Sequence, residues 1–137
     1  QFVPAGQCSV SDIEKGIFVC YEIKSCKQDV YSGNGLNFLG EKNYIVTTME
    51  CYKDLLQDFR DGTFARHLHE VAPESSSHFG IMVAIPFMSE LTDEFENPSE
   101  VDCESGRWKL AVIQQCVPGL RKRPMTELLF CMLRSGH

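Results

Sequence analysis

Apolar residues recur along this chain at steps of three and four, broken by short polar stretches, and that spacing predicts helices. Ser11-Asp12-Ile13-Glu14 has capping-box form, and Ile13, Ile17, Cys20, Tyr21 and Lys24 follow at helical steps, which predicts a helix over 11–26. The β-branched run around Ile17-Phe18-Val19 makes a strand over 16–23 the competitor. Ile45, Met49, Tyr52, Leu56 and Phe59 predict a helix over 44–60, ended by Asp61-Gly62. Thr63 then caps a shorter helix carrying Phe64, Leu68 and Val71, stopped at Ala72-Pro73.

The run from Phe79 to Ile85 fits a buried helix or a strand equally, since spacing alone does not separate them. Phe87, Leu91 and Phe95 suggest a further turn or two of helix before Asn97-Pro98. Leu110, Ile113 and Val117 predict a helix over 108–117, ended by Pro118-Gly119. Pro124 suits a first helical position, and Met125, Leu128, Leu129, Met132 and Leu133 follow it. Gly33, Gly35 and Gly40 mark residues 27–43 as a long loop, and Glu74-Ser75-Ser76-Ser77 is a polar linker. The expected fold is all-α, five to six short helices in a compact bundle. The alternative is α+β, with a small sheet from segments 16–23, 79–85 and 108–117.

At 137 residues and 43% apolar composition, one domain over 1–137 with one core is expected. The apolar runs reach about ten residues, against the roughly 20 needed to span a membrane, so no transmembrane segment is expected. Cysteine changes the picture further. Seven occur, at Cys8, Cys20, Cys26, Cys51, Cys103, Cys116 and Cys131, and none forms a Cys-x-x-Cys pair. Without metal or redox spacing, they suggest a disulfide framework stapling the helices, and hence a secreted, extracellular, cysteine-rich protein. A beginning at Gln1-Phe2-Val3-Pro4, without an initiator Met, agrees with a processed product. The odd seventh thiol leaves open a disulfide-linked homodimer.

The net charge of −6 argues against nucleic acid or an anionic membrane as partner. Residues 90–104 hold seven acids and no base, while Arg121-Lys122-Arg123 is basic. Glu90, Asp93, Glu94 and Glu96 with Arg121, Lys122 and Arg123 are therefore the expected interaction surface. The acidic run does not follow the ligand alternation of a calcium loop, and Pro98 interrupts it.

Catalytic chemistry finds little purchase. His67, His69 and Glu70 are ligand types, but on a helix two histidines two residues apart diverge by about 200°; on a strand they share a face. Gly-x-Ser-x-Gly, the dinucleotide fingerprint and the phosphate loop are absent from the sequence. The cysteine intervals of 12, 6, 25, 52, 13 and 15 residues match no family closely enough to transfer a function.

The sequence thus points to a non-enzymatic extracellular protein-interaction factor, a secreted signal, toxin-like or reproductive protein that binds another extracellular protein or receptor. No cofactor or metal is expected. Nine Phe and five Met support an alternative, a carrier of an apolar small molecule or lipid in a cavity between helices. A hydrolase or metal-dependent enzyme using His67 and His69 ranks third.

Overall fold

β-Branched and aromatic clusters, not helical spacing, decide the centre of this chain. The structure is a computed structural model, and it describes residues 1–6, 9–33, 36–73, 79–86 and 108–135. In chain order the elements are β1 (Phe2–Val3), α1 (Val10–Glu14), β2 (Ile17–Lys24), α2 (Lys27–Val30), β3 (Lys42–Thr48), α3 (Met49–Asp61), α4 (Thr63–Val71), β4 (Gly80–Pro86), β5 (Trp108–Gln114) and α5 (Met125–Ser135). The five strands form one sheet in the order β1-β2-β3-β4-β5. Strands β2, β3 and β4 run parallel, and β1 and β5 flank them antiparallel.

Both parallel connections step across the sheet in the same direction. Since such crossovers are right-handed, they deliver their helices to the same face. The packing agrees: Val30 of α2, Leu55 of α3, and Phe64 and Leu68 of α4 share one buried cluster with Ile45 of β3 and Ile81 of β4. Beside it, Met49 packs on Val83, Ile85 and Ala111. Strand residues two apart share a face, so Ile45 and Ile81, Val83, Ile85 and Ala111 all point toward the helices.

The local signals that form these elements are plain once the strands are known. Thr48 ends β3 in extended conformation and caps α3, its hydroxyl accepting from the Cys51 amide at 3.2 Å. Gly62, at φ 83°, ends α3 and begins α4 in the left-handed region where a side chain is strained. In α1 the cap is Ser9 with Asp12, a reciprocal capping box two residues earlier than the Ser11–Glu14 pair.

The all-α expectation is therefore overturned: the molecule is an α+β protein with a five-stranded mixed sheet, not a bundle of five or six helices. The segment 11–26 is a short helix followed by β2, and 44–60 is β3 followed by α3. Segment 108–117 contains β5. The three segments of the α+β alternative overlap β2, β4 and β5, but β3, the central strand, falls in the segment whose spacing predicts helix. The turn expected around Phe87, Leu91 and Phe95 lies outside the described residues.

The disulfide staple is overturned as well. Cys20, Cys26, Cys51, Cys116 and Cys131 are free thiols, none at bridging distance from another; Cys8 and Cys103 lie outside the described residues. Packing supplies the physical reason. Cys51 and Cys116 are buried within separate apolar clusters, as small hydrophobic side chains. The bridges that would support a secreted setting and a disulfide-linked dimer are thus absent among the described residues.

Candidate functional site

One face of the sheet has no helix on it among the described residues. Register places Ile23, Val46, Met82 and Val112 in a single row across β2, β3, β4 and β5. Ala84 and Leu110 form the next pair, and Trp108 stands opposite Pro86 beyond it. The small buried cluster on this side, Val19, Tyr44 and Cys116 with Ile17 and Met82, takes no residue from any described helix. Its flanks are open: Ile23 is 77% exposed, Trp108 50%, Leu110 52% and Val112 43%. Within the row Val46 is buried and Met82 half-buried, so the exposed apolar surface is its rim, Ile23 at one end and Val112, Leu110 and Trp108 at the other. Parallel strands are ordinarily covered on both faces, and an apolar rim of this kind is where a covering surface fits.

A second feature lies at the β2 edge. β1 pairs with Ile17 and Phe18, and Gln1 exchanges two backbone hydrogen bonds of 2.7 Å with Val19, which leaves the edge beyond Val19 for α5 and the loop 36–40. Between them is a cleft of about 350 Å³ lined by Cys20, Tyr21, Glu22, Leu39, Leu128 and Met132 among others. Asn43 fixes the loop by exchanging two hydrogen bonds with Gly40, Nδ2 to the carbonyl at 2.9 Å and the Gly40 amide to Oδ1 at 3.1 Å. Phe38, wholly buried in that loop, adopts φ 45°, a left-handed conformation that is strained for a bulky residue. Burial pushes the Glu22 carboxyl above its ordinary range, with the Asn37 amide and Lys24 opposing the shift. Burial likewise raises the Cys20 thiol, against amides of Gly40 and Leu39 that favour the thiolate.

The residues singled out in the sequence fall elsewhere. Glu90, Asp93, Glu94 and Glu96 lie outside the described residues. Arg121 is internally engaged: its Nε stands 3.1 Å from the Glu41 carboxylate, and its guanidinium lies 5.8 Å from the centroid of the Phe18 ring. Glu41 uses its other oxygen to accept from the Phe18 amide at 2.7 Å, so this pair ties the chain after β5 to β2. Arg123 faces Glu127 one helical turn on, at 3.8 Å, and the Lys122 amide donates to the Leu39 carbonyl. Arg121 and Arg123 thus form internal contacts in the fold.

His67 and His69 sit on α4 and diverge, as helical geometry requires. His67 is half-buried with its ring edge-on to Tyr31 at 4.7 Å, while His69 is exposed. Among the described residues no group of three or more His, Cys, Asp or Glu is placed to hold a metal ion.

Tyr31 belongs to a polar network instead. Its hydroxyl donates to Asp58 at 2.5 Å, and Lys27 pairs with the same carboxylate at 3.1 Å. The Tyr31 hydroxyl, then Lys27, hold Asp58 below the usual carboxylate range, while burial and that carboxylate push the Tyr31 phenol up. A carboxyl with a lowered folded pKa stabilises the fold above its unfolded pKa of about 3.9, and that contribution disappears as pH falls through the folded value. Tyr31→Phe is expected to cost about 1 kcal/mol at neutral pH. The gap to wild type should narrow below about pH 4, as urea unfolding across pH will show. A gap constant with pH would assign the effect to ring packing.

The open row was missed in the sequence because its signal, the alternation Trp108-x-Leu110-x-Val112, overlaps the helical steps Leu110, Ile113 and Val117. The cleft had no sequence motif. No described helix is long and apolar enough to cross a membrane. No family model, no curated protein and no solved structure matches this chain.

Proposed function

We propose that this chain is a non-enzymatic protein-interaction module whose open sheet face is covered by a helical surface of a partner polypeptide. The observation that carries this is the exposed apolar rim of the four-strand row, Ile23 at one end and Val112 at the other, with Leu110 and Trp108 half-exposed beyond Val112. Helices are the covering that parallel strands ordinarily take, and an amphipathic helix presents the complementary apolar stripe. An aromatic anchor within an apolar patch is also what recognition surfaces concentrate their binding energy on.

Trp108 is the single tryptophan, so its emission reports directly on this face. Affinity capture with the wild-type chain and with Leu110→Lys side by side, followed by titration of each purified candidate, tests the proposal. Leu110 is half-exposed, so the substitution should leave stability within about 0.5 kcal/mol. The expected partner shifts Trp108 emission to the blue and binds Leu110→Lys at least about tenfold more weakly, about 1.4 kcal/mol. A partner that binds both chains equally, or without moving the emission, overturns the assignment to this face.

A further inference from the structure

We infer that the outward face of α5 pairs with the same face of a second copy of this chain, antiparallel and without covalent linkage. The surface shares no residue with the open sheet row and does not depend on it.

α5 is apolar on two sides. Leu128 is buried, and Leu128 and Met132, four residues apart, both line the cleft beside β2. At about 100° per residue Phe130 lies about 160° around the helix from Leu128, and Leu133 about 60° from Phe130. These two point outward: Phe130 is 62% exposed and Leu133 70%. Single exposed apolar side chains are ordinary, but an apolar pair opposite a docked apolar stripe belongs to a helix with packing on both sides.

Charge selects the occupant. Glu127 and Arg134 are the only charged residues of α5, opposite in sign and seven positions apart. Both are exposed, and they flank Phe130, three residues before it and four after, on the same side of the stripe. A second α5 laid antiparallel about a two-fold axis near Phe130 therefore sets Glu127 of each copy against Arg134 of the other. The Phe130 and Leu133 side chains then lie between the helices. A parallel alignment would set Glu127 against Glu127 and Arg134 against Arg134. Exposed charge pairs fix orientation more than affinity, so the affinity rests on burying Phe130 and Leu133. One helix of about three turns from each copy makes a small interface, which belongs to the transient class.

Sedimentation equilibrium of the full chain from about 10 µM to about 1 mM tests the inference. A concentration-dependent equilibrium between monomer and dimer is expected. Phe130→Ala, at an exposed position where alanine favours helix, should weaken association at least about tenfold with far-ultraviolet dichroism unchanged. Glu127→Arg and Arg134→Glu each set two like-charged pairs across the axis and should each weaken it about fivefold to tenfold. Combined, they restore opposite charges and should recover association to within about twofold of wild type. Glu127→Arg also loses the contact with Arg123 at 3.8 Å and so loosens the helix itself. The double variant keeps that loss, so its recovery comes only from the pair across the axis. Association untouched by Phe130→Ala, or a double variant no better than the single ones, overturns the inference. So does a chain monomeric at every concentration, whose α5 face then takes some other occupant.

Discussion

Truncation of Phe64 to alanine is expected to remove about 3–5 kcal/mol of stability, the largest effect of any single change argued for this protein. Phe64 is wholly buried on α4, and two aromatic rings meet it edge-on, Phe59 of α3 at 5.1 Å and 79°, and Phe79 at 4.9 Å and 69°. It therefore joins α3 and α4 to the chain entering β4. Alanine removes the apolar burial and leaves a cavity whose walls belong to three separate elements, which cannot all collapse inward together. Each edge-on ring pair adds about 0.5–1.5 kcal/mol beyond burial. Urea unfolding followed by both Trp108 emission and far-ultraviolet dichroism measures the cost. Phe64→Leu, which keeps the burial and loses the ring geometry, should lie between alanine and wild type. A loss under about 1 kcal/mol for alanine would mean that the helix layer does not hang on this residue.

That helix layer was the readable half of the protein. The sequence marks α4 by Phe64, Leu68 and Val71 between Thr63 and Pro73, and marks α5 by its apolar steps after Pro124. The sheet was hidden for a physical reason. Ile45 on β3 and Met49 at the start of α3 both face the core, four residues apart, so a strand-to-helix junction reproduces helical spacing. The conflicting signal was the β-branched run Ile45-Val46-Thr47-Thr48, with Thr48 as a cap. In β5 the same ambiguity arises from a register shift opposite Ile81 and Met82: Ile81 pairs with Gln114 and Met82 with Val112, leaving Ile113 between. That extra residue points to the core and falls three after Leu110, where a helix would also place it.

The cysteines misled through composition. Seven thiols in a chain of this length suggest cross-links. Yet Cys51 packs beside Val30, Leu55 and Ile81, and Cys116 beside Val19 and Tyr44. Burial pushes the Cys51 thiol up to about 11, which keeps it protonated and poorly reactive at neutral pH. Both candidate sites follow from the sheet: the open row from helices delivered to one side only, the cleft from a first strand too short to cover the β2 edge. Neither is visible until strand order is known.

The same sheet makes Gly80 a position with no room for a side chain. Gly80 pairs with Tyr44 across β4 and β3, and a Cβ there would stand 2.3 Å from two ring carbons of Tyr44 and 2.9 Å from the Cys116 backbone nitrogen. The ring has no easy retreat, since Tyr21 stacks on it and its hydroxyl donates to Gln115 at 3.2 Å. Gly80→Val is accordingly expected to cost about 1–3 kcal/mol or more through overpacking, despite the higher strand propensity of valine. A double-mutant cycle separates the ring from the backbone. Tyr44→Ala alone should destabilise by lost burial, yet in its presence Gly80→Val should cost about 1 kcal/mol less than in wild type, a coupling typical of residues in contact. Additive losses would show that the Cys116 backbone, rather than the Tyr44 ring, sets the limit at this position.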